Sequence, residues 1–327
     1  MRPPRPANAS RREAIDAANA AFGIDIGGTK LALGLVEPDG RVLARRVRPL
    51  RRDGALIDVE EAVRTVGQFL DEEGDGTPPL AFGAAVAASL DGAGRILFAP
   101  NLTPWLGAPL GSLLEGAVGC RTHIVLDGAA ALWGERWLGG AQRLSDAVLL
   151  AIGTGVGGGI LAGGRLILGV SGLAGVAGYL RVDGEAGRAR LEDVVSGPAL
   201  ARRLSAAVGA PLSARDLFRL AGQGDGRAKR VLDVSLDALG EALAAITSLL
   251  APEAILLGGG LGPTFARAHV RLEAAVTRLA QPDSAARVRV RAARLGNDAA
   301  WLGAARLALD LGAARDQEED ADRRGTP

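Results

Sequence analysis

The alternation of apolar and polar positions divides the chain into short strands and longer helices. Residues 22–26, 31–36 and 41–47 are apolar or alternating runs separated by GGT and PDG turns, which predicts three consecutive strands. Residues 58–72 carry apolar side chains on one helical face, and an apolar run at 80–86 predicts a further strand. The folded part of the chain is therefore expected to begin as an α/β unit at Ala21.

The same plan restarts near residue 120. A strand is predicted at 122–126 and an Ala-rich helix at 128–138, and the run VLLAIGTGVGGGILAGGRLIL then repeats the strand, glycine turn and strand of residues 21–43. Two copies of one hairpin unit predict an internally duplicated fold with a cleft between its halves.

A long helix is predicted in the second half of the chain. Leucine and isoleucine recur at alternating steps of four and three from Leu232 to Leu250, which is typical of a core helix with one continuous apolar face. Pro252 is expected to end it. The run AILLGGGLG then predicts a buried strand that leads into a glycine turn, and residues 299–309 predict a closing helix.

The two ends of the chain differ from its middle. Residues 1–20 carry charged residues where a secretory signal would need an apolar core, so they are expected to form a flexible arm or a short helical lead-in. Residues 313–327 are highly charged and lack apolar periodicity, which predicts a disordered tail. Asp233, Asp237 and Glu241 interrupt the most apolar segment, so no membrane span is expected.

Composition narrows the classes of partner. The 327 residues include 38 basic and 37 acidic side chains, a net charge of +1 that gives no electrostatic reason to bind nucleic acid or an anionic membrane. The single cysteine, Cys120, excludes an internal disulfide and any multi-cysteine metal knuckle. A reducing, cytoplasmic location is the expectation.

Three glycine clusters follow three apolar strands: Gly27–Gly28–Thr29, Gly153 to Gly159, and Gly258–Gly259–Gly260. Backbone amides approach a phosphate closely only where side chains are absent, so such clusters suit a nucleotide, although glycine also serves ordinary turns. None of the three has the spacing of a Walker or a Rossmann phosphate loop.

Eight ordered motifs carry a resemblance to a known family. They are DIGGTK (25–30), PNL (100–102), VLDGAAALWGE (125–135), GTGVGGG (153–159), GVSGLAGVAGYL (169–180), LEDVVSGPAL (191–200), PEAILLGGG (252–260) and LGNDAAWLGAA (295–305). Over about residues 21–310 the chain resembles the ROK family of sugar kinases and sugar-responsive repressors. The resemblance implies a duplicated ribonuclease-H-like (actin-like) α/β fold, with two domains around a nucleotide and sugar cleft. Residues 21–119 with helix 299–312 would form the first domain, and residues 120–298 the second.

The resemblance also implies roles for individual residues. Asp127 would be the catalytic base, and Asp25 would lie near Mg²⁺. Asn101 and Glu192 would contact the sugar. Val176 and Tyr179 would also lie at the sugar-binding part of the site. ATP and its phosphates would bind the glycine loops through Asp25, Gly27, Gly28, Thr29, Lys30, Gly153, Thr154, Gly155, Gly157, Gly258, Gly259 and Gly260.

Three departures from the family pattern concern the substrate. Val176 and Tyr179 stand where the family usually has a glutamate and a histidine, and Ala87–Ala88 replaces a proline–glycine pair. A short GEAGRAR link without cysteine stands where a zinc knuckle is usual, so no structural zinc is expected there. Whether Tyr179 or Glu185 takes over a lost substrate contact is left open.

Alternative interpretations stand beside these roles. Asp25 and Asp127 could cap a turn or helix at a strand end, and Asn101 could be a turn residue before Pro104. His123 and His269 have no metal-ligand partner at useful spacing and are interpreted as structural. A repressor would need a helix-turn-helix domain, which the twenty residues ahead of the first strand are too short to form.

The resulting hypothesis is an ATP- and Mg²⁺-dependent kinase, cytoplasmic and expected to be a homodimer. Its substrate would be a modified sugar, an amino sugar or a cyclitol rather than plain glucose. The alternative is a catalytically degenerate protein of the same family that binds a ligand or a nucleotide.

Overall fold

The computed structural model describes residues 15–324, with side chains described up to residue 314. The first nine strands are β1 (Ala21–Ile26), β2 (Lys30–Val36), β3 (Val42–Pro49), β4 (Arg51–Arg52), β5 (Ala55–Leu56), β6 (Ala81–Val86), β7 (Ser89–Leu90), β8 (Ile96–Phe98) and β9 (Thr122–Leu126). They are followed by β10 (Ala147–Ile152), β11 (Val156–Ala162), β12 (Arg165–Leu166), β13 (Arg181–Gly184), β14 (Gly187–Arg190), β15 (Ala254–Gly258) and β16 (Arg289–Ala292).

Helices connect and cover these strands. They are α1 (Val59–Glu73), α2 (Leu110–Val118), α3 (Asp127–Leu138), α4 (Leu191–Val195), α5 (Gly197–Val208), α6 (Ala214–Gly222), α7 (Gly226–Leu250), α8 (Gly262–Ala266), α9 (His269–Leu279), α10 (Pro282–Arg287) and α11 (Ala299–Arg324). Short 3-10 helices lie at Ala17–Asn19, Thr103–Trp105, Ala177–Tyr179 and Gly296–Asp298. Within the described part of the chain, no helix has both the length and the apolar character to cross a membrane.

Two five-stranded sheets share one topology. Their strand orders are β3-β2-β1-β6-β9 and β12-β11-β10-β15-β16. In each sheet the first three strands form an antiparallel meander, and the fourth and fifth add in parallel. This repetition confirms the predicted internal duplication, and with it the duplicated ribonuclease-H-like (actin-like) α/β fold.

Local sequence signals explain the start of α1 and its position against the first sheet. The Asp58 side chain accepts a hydrogen bond from the Glu61 amide, a standard N-cap that agrees with the predicted start of this helix. The apolar face of α1 is buried, and its Phe69 ring stacks on Phe22 of β1 with centroids 5.5 Å apart. Phe22 in turn stacks on Phe82 of β6 at 5.0 Å. The three stacked rings pack α1 against the first sheet.

Helix α11 packs on the other face of that sheet and against α3. A Cβ atom on Gly23 or Gly83 would overlap a carbonyl oxygen of α11, so these two strand glycines allow the helix to lie in backbone contact with β1 and β6. The carboxylate of Glu135 on α3 is fully buried and accepts hydrogen bonds from the amides of Arg294 (2.8 Å) and Leu295 (2.7 Å). This side chain holds the chain segment that leads into α11 against α3.

Three predicted boundaries differ from the structure. Strand β9 pairs with β6, so it belongs to the first sheet and not to the domain predicted at 120–298. Of the predicted flexible arm, residues 1–14 lie outside the described part, but Ile15 bridges Gly74, and Ala17 and Ala20 are buried beside β1. Helix α11 continues to Arg324, into the predicted disordered tail, because alanine and long charged residues favour helix. Residues 325–327 lie outside the described part.

Candidate functional site

The three glycine clusters form tight turns at the ends of β1, β10 and β15. The Gly27 amide donates to the Lys30 carbonyl oxygen at 3.1 Å, and the Gly153 amide donates to that of Gly155 at 2.9 Å. Gly259 adopts a left-handed conformation with a φ of 71°. The third turn then lies beside the second, because the Leu261 amide donates to the carbonyl oxygen of Ile152, the last residue of β10, at 2.9 Å.

Asp127 lies where the two sheets approach each other. It is the first residue of α3, directly after β9 of the first sheet, and its Oδ1 accepts a hydrogen bond of 2.7 Å from the Gly128 amide. A Cβ atom on Gly128 would overlap the Gly158 carbonyl, so the first turn of α3 lies directly on β11 of the second sheet. A Cβ on Gly157 would lie 3.7 Å from Oδ1 of Asp127. The predicted base is therefore adjacent to the second glycine loop.

The effect of Asp127 on the pKa of Asp25 indicates that the first glycine loop belongs to the same site. Burial and, to a smaller extent, the negative charge of Asp127 raise the pKa of Asp25, the positive charge of Lys30 lowers it, and the net result is a pKa of about 7. Burial also raises the pKa of Asp127, against the opposing effect of its hydrogen bond from Gly128. The carboxylate of Asp25 thus lies within range of the charges of both Asp127 and Lys30.

We expect Asp25→Asn to stabilise the protein, and to do so more at alkaline pH. A carboxyl whose pKa is 3.8 in the unfolded chain and about 7 in the folded one destabilises the fold progressively as pH rises between those values. The variant removes this cost, so its gain in unfolding free energy should be about 2 kcal/mol larger at pH 8 than at pH 5.5. Urea denaturation at both pH values without added metal measures it.

The exposed Asp71 on α1 supplies the control for this experiment. Asp71→Asn makes the same chemical change at the surface and should leave the pH dependence of stability unchanged. An Asp25→Asn gain that is equal at both pH values would contradict the expectation.

The residues around Asp25 suit Mg²⁺. Among the described residues, burial and the charge of Asp127 raise the pKa of Asp25, the charge of Lys30 lowers it, and no hydrogen-bond donor contributes. Carboxylate oxygen is the ligand that Mg²⁺ prefers, and a divalent cation would relieve the repulsion between Asp25 and Asp127. Within the described residues no group of three or more His, Cys, Asp or Glu side chains could hold a metal ion, so these two carboxylates suit an ion such as Mg²⁺ that takes its other ligands from water and phosphate.

Asn101 lies against the first glycine loop. A Cβ atom on Gly28 would come within 2.6 Å of the Cβ of Asn101, so the two residues are in contact. Asn101 precedes the 3-10 helix Thr103–Trp105, whose Trp105 indole donates to the Ile57 carbonyl at 2.8 Å and is buried. This anchor gives Asn101 a defined position beside the loop.

Glu192 contacts the second glycine loop. Its Oε2 accepts a hydrogen bond from the Val156 amide at 2.8 Å, and a Cβ on Gly155 would lie 2.6 Å from the same oxygen. On its other side, a Cβ on Gly178 would lie 3.4 Å from it. Glu192 therefore connects the loop to the 3-10 helix Ala177–Tyr179. The sequence did not indicate this connection.

Val176 and Tyr179, which the resemblance implies lie at the sugar, differ in exposure and in chemistry. Val176 is partly buried and offers no polar group. Tyr179 is 54% exposed, and the Arg190 guanidinium lies 5.4 Å from its ring centroid. That guanidinium also makes two hydrogen bonds to Asp193, of 2.8 and 2.9 Å. The surroundings of these two residues thus include an apolar side chain, an exposed aromatic ring and a guanidinium group that is already paired with Asp193.

The β13 and β14 strands form an antiparallel β-hairpin that includes the GEAGRAR link. The Asp183 amide donates to Oε2 of Glu241 on α7 at 2.7 Å, and Arg188 bonds both Asp183 and Glu241. These hydrogen bonds attach the hairpin to α7. Glu185 at its tip pairs with Arg203 at 3.0 Å, so its carboxylate is already bound to a structural partner.

Sequence reasoning missed one residue that contacts the first loop. Arg51 of β4 donates from Nε to the Gly28 carbonyl at 3.0 Å. No motif marks Arg51, and 23 residues separate it from Gly28, so only the folded chain brings them together.

The family comparison agrees with this geometry. The sequence profile of the ROK family matches residues 21–311. The chain belongs to the ROK family. An N-acetylmannosamine kinase of Escherichia fergusonii is 33% identical over 291 residues, which cover 87% of this ROK chain and 97% of that protein. The bifunctional enzyme NanE/NanK of Brucella suis is 34% identical over 307 residues, covering 91% of the chain but only 55% of the length of that relative.

A solved structure extends the comparison to the fold. A ROK glucokinase of Streptomyces griseus in complex with glucose and AMPPNP superposes on this ROK chain with a TM-score of 0.72 and 28% identity. The match covers 89% of this chain and 99% of that one. These relatives are sugar kinases, and the Streptomyces enzyme binds an ATP analogue.

Proposed function

We propose that this ROK chain is an ATP-dependent kinase that phosphorylates a hydroxyl of a sugar or a sugar-like substrate. The observation that carries the proposal is the position of Asp127, adjacent to the second glycine loop and close enough to Asp25 of the first motif for its charge to raise the pKa of Asp25. Phosphoryl transfer needs in-line positioning, charge stabilisation and a carboxylate that accepts the hydroxyl proton. These residues could supply all three.

In this proposal Asp127 is the general base. It would accept the proton of the substrate hydroxyl as that oxygen attacks the γ-phosphorus of ATP, and ADP would leave. Burial raises the pKa of Asp127, which makes the carboxylate a better proton acceptor at neutral pH. The glycine loops would present amides to the phosphates, and Asp25 would hold the Mg²⁺ ion that neutralises phosphate charge.

The side chains of Val176 and Tyr179 affect which sugars the proposed site would accept. A hydrogen bond to a charged group contributes about 1.5–3 kcal/mol, and Val176 cannot make one. Glu192 remains, although its Oε2 already binds the Val156 amide. An apolar, aromatic surface suits a ring that bears a less polar substituent. We therefore propose an amino sugar or another modified ring, such as a deoxy sugar or a cyclitol. N-acetylated hexosamines are the first choice, because one of the relatives is named an N-acetylmannosamine kinase.

We expect plain glucose to be a poor substrate. The loss of two charge-assisted hydrogen bonds predicts a kcat/KM for glucose about two to three orders of magnitude below that of the preferred ring. ADP release from Mg-ATP across hexoses, amino sugars, N-acetylhexosamines, deoxy sugars and cyclitols measures it. The double change Val176→Glu with Tyr179→His should raise kcat/KM for glucose. Efficient use of glucose by the wild-type chain would refute the substrate proposal.

A second outcome of the same panel concerns catalysis itself. If every compound failed while ATP still bound, the chain would be a ligand-binding member of the family without kinase activity. The proposal further includes a cytoplasmic homodimer without nucleic acid or membrane partners. Light scattering coupled to size exclusion tests the dimer.

A further inference from the structure

The hairpin of β4 and β5 lies beside the first glycine loop. Its turn contains Asp53 and Gly54, both in left-handed conformations with φ values of 52° and 83°. The Leu50 amide, just before β4, donates to the Thr29 carbonyl at 2.9 Å. Beyond β5, the Ile57 amide donates to the Leu50 carbonyl at 2.9 Å. The base of the hairpin is therefore attached to the loop by main-chain hydrogen bonds.

Arg51 adds a side-chain connection from the hairpin to the loop. Its Nε donates to the Gly28 carbonyl at 3.0 Å, and its Nη1 donates to the Gly54 carbonyl at 3.2 Å. Within residues 15–314, Arg51 forms no salt bridge with a carboxylate. The adjacent Arg52, by contrast, pairs with Glu61 of α1. Arg51 thus keeps an uncompensated positive charge next to the loop.

The contact with Gly28 determines the direction of the next amide. In a trans peptide the carbonyl oxygen and the following N–H point in opposite directions, and the described chain has no cis peptide bond. A Gly28 carbonyl held toward the hairpin therefore directs the Thr29 N–H away from the hairpin. This N–H donates to no acceptor among the described residues. It is free to bind an anion.

We propose that Arg51 is a positioning residue of the phosphate site. It fixes the Gly28–Thr29 peptide so that the Thr29 N–H is available to the outer phosphates of ATP, and its charge favours them. A guanidinium serves this purpose because it can bond two carbonyl oxygens and still retain its full charge. The inference rests on the proposed ATP site at the first loop, but its test needs no knowledge of the sugar.

The test is the binding of magnesium AMPPNP and of AMP to the full chain by calorimetry, without sugar. Arg51→Gln should weaken AMPPNP about ten- to a hundredfold, the range expected for a charge-assisted contact. AMP, which lacks the outer phosphates, should bind as it does to the wild type. Arg51→Lys keeps the charge and should recover part of the AMPPNP affinity. The thermal midpoint of the free protein should stay the same, because Arg51 is exposed.

Arg52→Gln is the matched control, since it removes the neighbouring charge without touching the loop, and it should bind AMPPNP as the wild type does. Equal AMPPNP binding by Arg51→Gln and the wild type would overturn the inference. An equal loss for AMP and AMPPNP would also overturn it, because that pattern indicates a general structural effect. A wild-type chain that binds no AMPPNP would refute the proposed function itself.

Discussion

Asp127→Asn should lower the turnover number of the kinase about 10²–10⁴-fold, the usual contribution of a positioned general base. Asparagine has nearly the same shape, and its amide oxygen can still accept the hydrogen bond that the Gly128 amide donates to Oδ1. It cannot accept the substrate proton. The loss should therefore appear in kcat, whereas the Kd for magnesium AMPPNP should stay within about threefold of the wild type. Single-turnover phosphorylation and calorimetry measure the two quantities.

This variant should also remain folded. Because burial raises the pKa of Asp127, the ionised carboxylate destabilises the fold at neutral pH, and its neutral replacement should not lower the thermal midpoint. Asp71→Asn again serves as the control and should keep full activity. If Asp127→Asn retained more than about a tenth of the wild-type turnover, another group would have to act as the base.

Gly303→Ala should destabilise the protein by about 3 kcal/mol or more, at or above the usual limit for overpacking. A Cβ atom on Gly303 of α11 would overlap the Ala130 carbonyl oxygen and lie 2.6 Å from the Gly134 nitrogen on α3. Both are backbone atoms, so no side-chain rotation can relieve the overlap. The two helices would have to separate, and α3 begins with Asp127.

Gly312→Ala makes the same change on the same helix where a Cβ meets no atom within 4 Å. This control should be neutral or stabilising by up to about 1 kcal/mol, because alanine favours helix more than glycine does. Urea denaturation of both variants measures the contrast. Equal stability of Gly303→Ala and the wild type would mean that α3 and α11 do not pack as closely as the structure shows.

Local patterns predicted most of the secondary structure. The strand at Thr122–Leu126 was predicted with its observed bounds, and α1 was predicted close to its own. The long helix α7 ends at Leu250 as predicted but begins at Gly226, about two turns before the predicted apolar face starts. These segments have the periodicity of their structure and clear boundary residues, such as the cap at Asp58. Local sequence could not indicate which sheet β9 joins. Its parallel pairing with β6 connects residues that lie about forty positions apart in the chain.

The sequence motifs indicated some of the residues of the candidate site but not their contacts with residues outside the motifs. Asp25, Lys30, Asp127 and the glycine loops come together as their motifs implied. The hydrogen bond from the Val156 amide to Glu192 was not predictable, because a glutamate can reach many partners and sequence does not select among them. The contact of Arg51 with Gly28 was missed for the same reason.

The sequence by itself determined the duplicated order of strands and helices, the three glycine turns and the membership of the ROK family. Each of these depends on residue types at short spacing, where periodicity and backbone sterics act locally. Only the tertiary structure decided that β9 completes the first sheet, that α11 lies in backbone contact with α3, and that Arg51 holds the first loop. Such pairings depend on which surfaces are buried together, and that is a property of the whole folded chain.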